Sequence, residues 1–124
     1  MREILFRGKS QDTGKWIYGS YHKPFEDVEQ IIESIKTNAS QMSLVELGTC
    51  GQFTGLTDKN GKKVFEGDKL TNPKGDIGVI EFYEGNFVLV SQKKYNMIRI
   101  TLDAGFMLNK EIIGNIHEKE GNNG

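Results

Sequence analysis

Cysteine is almost missing from this sequence, and so is proline. The one cysteine, Cys50, can close no intrachain disulfide. The N-terminus couples no basic patch to an apolar run of leader length, so the expected compartment is a reducing cytoplasm. Long apolar runs are also absent: none approaches the roughly 20 residues that cross a bilayer, and no membrane-spanning segment is expected. A dominant charge is lacking too. Sixteen Lys and Arg stand against seventeen Asp and Glu, a net charge of -1, which removes a global basic field as a reason to expect nucleic acid. The soft metal ligands His22, Cys50 and His117 are scattered singly rather than paired at ligand spacing, so no structural zinc is encoded. No segment recurs at a period of roughly 20 to 50 residues, which excludes a solenoid or propeller.

What is present suffices for one core. Hydrophobic residues are 36% and aromatic residues 10% of the 124 residues, too many for a disordered chain. Fifteen glycines against two prolines predict tight turns and bulges between short strands. Ile4–Arg7 and Trp16–Tyr18 flank Asp12-Thr13-Gly14 and predict an N-terminal hairpin over residues 1–22. Asn60-Gly61 is a strong hairpin signal. Glu66-Gly67-Asp68 and Asn72-Pro73-Lys74-Gly75 mark further turns, and Glu84-Gly85-Asn86 joins the runs Ile77–Tyr83 and Phe87–Val90. Strands are also expected over Met97–Leu102 and Glu111–His117.

Residues 24–38 change period. Val28, Ile31, Ile32 and Ile35 fall at i, i+3, i+4 and i+7, with Glu26, Asp27 and Glu29 in the first turn and Pro24 at its start, which predicts a helix. The same segment is rich in β-branched residues, and Gln30–Ile35 also reads as a strand. The expected fold is therefore α+β, mainly antiparallel β. It is a single domain over 1–117: the hairpin, a helical or irregular insert over 24–47, and a small SH3-like curled barrel over 50–117. Residues 118–124, without an apolar side chain, read as a flexible tail.

Four blocks carry a resemblance: Arg2–Gly8, Thr13–Gly19, the long stretch Gly51–Asp68 with Gly-Gln-Phe-Thr-Gly-Leu-Thr-Asp-Lys-Asn-Gly-Lys-Lys-Val-Phe-Glu-Gly-Asp, and Ile113–His117. In this order they resemble the YopX family of phage and prophage proteins, over nearly the whole chain, with residues 22–47 and 91–110 departing from the pattern. The family is uncharacterised, so the resemblance brings no catalytic or binding residues. It implies a small phage or prophage protein made in the bacterial host cytoplasm.

Motifs of catalysis fail on spacing. Gly55 to Lys62 has five residues between its glycines where a Walker loop needs four, and Lys63 stands where a Ser or Thr is required. Asp58 and Asn60 lack the spacing and closing Glu of a calcium loop. Cys50 would need a histidine base, and burial as a small hydrophobe outweighs that reading. Glu66 and Asp68 are the best acidic pair, able to do acid–base work or hold a hard cation, although a turn that caps backbone N–H groups explains them as well. Phe82, Lys93, Lys94, Tyr95 and Arg99 have the composition of a nucleic-acid stacking surface. Ile4, Phe6, Arg7, Trp16 and Tyr18 suit a protein interface.

The expected function is accordingly that of a non-enzymatic phage accessory protein. It would bind another macromolecule, a host or phage protein first of all, and associate with itself through the N-terminal hairpin, with no cofactor, metal or catalytic residue. A nucleic-acid-binding barrel is the alternative, and a hydrolase or metal-dependent enzyme around Glu66 and Asp68 is the third reading.

Overall fold

Glycine-joined β-favouring runs become strands along almost the whole chain. The computed structural model describes residues 3–35, 39–92 and 97–118. In chain order they form β1 (Phe6–Lys9), β2 (Trp16–Phe25), β3 (Val28–Ile35), β4 (Ala39–Val45), β5 (Gly51–Thr57), β6 (Lys63–Phe65), β7 (Asp68–Thr71), β8 (Ile77–Tyr83), β9 (Asn86–Gln92), β10 (Met97–Thr101), one short helix α1 (Ala104–Met107) and β11 (Glu111–Asn115). Every pairing with an assigned register is antiparallel. The strands lie in two sheets, ordered β4-β3-β2-β1-β5-β6 and β10-β9-β8-β7-β11. The chain divides into two compact units, Met1–Phe53 and Thr54–Gly124, so that β5 begins in the first and ends in the second.

In the first unit the helix expected over 24–38 is not formed. Residues to Phe25 extend β2, a two-residue turn follows, and β3 pairs with β2 and β4; residues 36–38 lie outside the described residues. The insert is thus further sheet. The misleading period has a physical cause: adjacent Ile31 and Ile32 are buried and half-buried on opposite faces of one strand, a two-sided pattern that also satisfies helical spacing. The sheet bends on itself. Ser10 bridges Val45, Glu46 N–H donates to Lys9 C=O at 2.8 Å, and Gln11 N–H donates to Leu44 C=O at 3.1 Å, joining the end of β4 to the end of β1. Ile31 and Val45, both fully buried, fill the inside of that bend. Gly8 and Gly19 face the same side. A Cβ on Gly19 would stand 2.1 Å from Ile32 C=O, and one on Gly8 about 3.0 Å from Val45.

In the second unit Val64, Leu70, Ile80, Leu89 and Met107 form the core, with Leu56, Phe87, Leu102, Phe106 and Ile112 packed against it. Burial of each such side chain contributes about 1.5–3 kcal/mol. The turn Glu84-Gly85 has both residues at positive φ, 48° and 85°, the geometry that matches strand twist in a tight hairpin. The helix α1, which sequence reading did not anticipate, is capped by Asp103, whose Oδ1 accepts the Phe106 N–H at 2.7 Å. The α+β, mainly antiparallel class holds, but the strands expected to make an SH3-like barrel do not close one. The five-stranded sheet is open, ending at β10 on one side and β11 on the other. Turns are local and readable from the sequence, whereas closure depends on pairing between distant strands. Of the expected tail only Glu118 is described, its carboxylate accepting from Asn115 Nδ2 at 3.0 Å; residues 119–124 lie outside the described residues.

Gly19→Ala sets a Cβ against backbone rather than against a side chain that could move. Urea unfolding should show a loss of about 3 kcal/mol or failure to fold, while Gly14→Ala, with open space around it, should cost far less.

Candidate functional site

The register of β1 and β2 builds an aromatic and cationic cluster on the first unit. Arg7 lies opposite Tyr18 and Lys9 opposite Trp16. The Arg7 guanidinium stands 4.2 Å from the Trp16 ring centroid and Lys9 Nζ 5.7 Å, within cation–π range. Through the pairings Ser20 with Ile32, Ile32 with Met42 and Gln30 with Leu44, strand alternation brings Met42 and Leu44 to this same face. Arg7 is buried, Trp16 half-buried, and Tyr18, Met42 and Leu44 are 45%, 54% and 47% exposed. Of the expected interface residues, Arg7, Trp16 and Tyr18 are therefore brought together. Phe6 turns to the other face, stacked on Tyr21 at 5.5 Å between centroids, and Ile4 is exposed just before β1.

On that other face Glu29 organises polar groups. Its Oε2 accepts the Tyr21 hydroxyl at 2.6 Å and its Oε1 the Gly48 N–H at 2.9 Å. The hydrogen bond to Glu29, followed by burial and the carboxylate charge, pushes the Tyr21 phenol up to about 12. Burial first, then Glu29, pushes the Cys50 thiol up to about 12 as well, which keeps it protonated and unreactive at neutral pH. His22 Nδ1 hydrogen-bonds Gln30 Oε1 at 2.8 Å.

Two aspartates of the second unit, Asp68 and Asp58, accept backbone N–H groups at turns. Asp68, buried, accepts the Phe65 N–H through Oδ2 at 2.8 Å, with Gly67 at φ 93° between it and Glu66. Gly67 also donates to Ile80 C=O and accepts from Ile116 N–H. Asp58 does more than the sequence revealed. Its Oδ1 accepts from Asn60 N–H at 2.8 Å and Lys62 N–H at 3.0 Å, and its Oδ2 from Ile112 N–H at 3.1 Å, 54 residues away. Burial pushes this carboxyl up, but the N–H groups of Ile112, Lys62 and Asn60, aided by the Lys62 charge, outweigh it and hold the pKa below the ordinary range. Among the described residues no group of three or more His, Cys, Asp or Glu is placed to hold a metal.

Lys93, Lys94 and Tyr95 lie outside the described residues. The other two residues of the expected stacking surface point apart. Phe82 is opposite Phe87, on the face that also carries Ile80 and Leu89, whereas Arg99 is opposite Val90 on the reverse face, 4.1 Å from the Tyr83 ring centroid. One strand of nucleic acid lying on either face meets only one of them. Sequence reading also missed a cavity of about 130 Å³ in the second unit, lined by Leu70, Gly78, Leu89, Ser91, Ile98 and Phe106 among others. No composition signal marked it, because its lining comes from β7, β8, β9, β10 and α1, brought together only by the fold.

A family model described as YopX protein matches residues 5–121. Protein EF1440 from Enterococcus faecalis, known from a crystal structure, aligns with a TM-score of 0.59 at 21% identity, over 94% of this chain and 95% of its own. That likeness is one of fold. No curated protein matches the chain. No helix among the described residues is long and apolar enough to cross a membrane.

Asp58→Asn should lower stability at pH 7 by about 2 kcal/mol, since charge-assisted acceptance by buried carboxylate oxygens is lost. Because the native pKa is depressed, this contribution is complete above the unfolded value near 4 and disappears as pH falls through the native one. Urea unfolding of both proteins should therefore show a gap at pH 7 that narrows as the pH falls below the ordinary carboxylate range.

Proposed function

The chain belongs to the YopX family, whose function is uncharacterised, and from that premise we propose a phage or prophage accessory protein that works in the host cytoplasm by binding another protein, without catalysis. The observation that carries the reading is the sheet face that Arg7, Trp16, Tyr18, Met42 and Leu44 share, with Arg7 held against the Trp16 ring. Trp, Tyr and Arg are the residue types that dominate binding energy at protein interfaces. The cation held against the Trp16 ring orders two large side chains before a partner arrives, which lowers the entropy lost on association. The same face supports self-association, because a net charge of -1 offers copies little mutual repulsion.

Affinity capture from lysogenic cells followed by mass spectrometry tests this role. The wild-type chain should retain a defined protein, and Tyr18→Asp, at an exposed position, should release it while the far-UV spectrum is unchanged. Retention of nucleic acid alone, or equal retention by both proteins, would overturn the reading. For self-association, light scattering should give a mass that rises above 14.0 kDa with concentration and returns to it in the Tyr18 variant.

A further inference from the structure

The five-stranded sheet of the second unit has two ends, and they are treated differently. At β11 the outward Ile112 N–H is taken by the Asp58 carboxylate, the neighbouring Lys110 C=O accepts from Lys59 N–H at 2.8 Å, and the register shifts between Ile112 and Gly114. Capping groups and a bulge of this kind keep an edge from recruiting another strand. At β10 none of these devices is present. The register runs unbroken from Met97 opposite Gln92 to Thr101 opposite Val88, the strand contains no Pro or Lys, and among the described residues nothing pairs with its outer edge. Met97 and Ile98 are 53% and 40% exposed.

Beside this edge lies the cavity of about 130 Å³, with Ile98 and Ile100 of β10 forming part of its wall. Its size is close to that of a protein cavity of about 150 Å³ that takes a benzene ring, enough for a branched aliphatic side chain. Ile98 and Ile100 face it, and Arg99 between them faces the reverse side, held against Tyr83. We propose that β10 is a docking edge for an extended segment of another protein, which adds as a strand and presents an acidic residue opposite Arg99 flanked by aliphatic residues directed to the cavity.

The occupant follows from strand geometry and charge. Outward N–H and C=O groups of an edge are satisfied along their length only by another strand. Alternation puts the neighbours of the residue opposite Arg99 on the face of Ile98 and Ile100. A second copy of β10 is disfavoured, since antiparallel self-pairing through all of Met97–Thr101 centres on Arg99 and sets two guanidinium groups directly opposite one another. This edge is separate from the N-terminal face proposed above and does not depend on it.

The test pans a library of short random peptides against the full chain and measures affinities by fluorescence polarisation. Enriched peptides should share an aliphatic–acidic–aliphatic core and slow amide exchange within Met97–Thr101. Arg99→Glu should weaken them about tenfold or more and should restore binding to a peptide whose acidic residue is replaced by Lys. Ser91→Leu, which fills the cavity, should weaken the aliphatic peptides while the Tyr18→Asp variant binds them normally. Enrichment of no peptide, affinity indifferent to Arg99→Glu, or a wild-type dimer in which β10 amides are already protected would each overturn the proposal, the last in favour of a second copy.

Discussion

Everything in this molecule depends on how strand edges are closed. A chain that is almost entirely antiparallel strand satisfies its backbone in the middle of each sheet, but every sheet ends in a row of outward N–H and C=O groups. The first unit answers by bending: Ser10 meets Val45, and Glu46 and Gln11 donate to Lys9 and Leu44, so the end of one outer strand is tied to an inner one. The second unit answers with a side chain. Asp58 spends both carboxylate oxygens on three backbone N–H groups, and the one on Ile112 closes β11.

The bend requires close approach, and glycine supplies it. The backbone of β3 lies so near Gly19 that any Cβ there would overlap Ile32 C=O. Bringing strands together this tightly leaves little room inside the bend, and the larger side chains of β1 and β2 are sorted between its faces: Phe6 and Tyr21 on one, Trp16 and Tyr18 on the other. The face that carries Trp16 and Tyr18 is thus a by-product of the packing that makes the bend possible. The buried Arg7 guanidinium stands 4.2 Å from the Trp16 ring centroid, and it is this pairing on which the proposed binding role rests.

Much of the local structure was legible. The turns at Asn60-Gly61, Glu66-Gly67 and Glu84-Gly85 stand where turn chemistry places them, and the β8–β9 hairpin runs over the residues expected. The helix expected over 24–38 failed because both faces of β3 mix apolar with polar residues, Ile31 with Glu29 and Ile32 with Gln30, so period-two alternation is invisible. That the second sheet stays open was not legible either, since its strand order turns on pairings such as Ile112 with Leu70 that no local pattern encodes. The same holds for the site. Of Ile4, Phe6, Arg7, Trp16 and Tyr18, grouped from the sequence, Arg7, Trp16 and Tyr18 share a face because the hairpin fixes its own register, while Phe6 turns to the other. Met42 and Leu44 join them only through β3, and Asp58 shows its long-range role only once Ile112 is beside it.

Native-state amide hydrogen exchange tests this account of edges most directly. The Ile112 amide, although on the outermost strand, should exchange as slowly as amides of the sheet interior. The amides of Met97–Thr101 should alternate, those bonded to β9 slow and the outward ones fast. Uniformly slow exchange along β10, or fast exchange at Ile112, would contradict it.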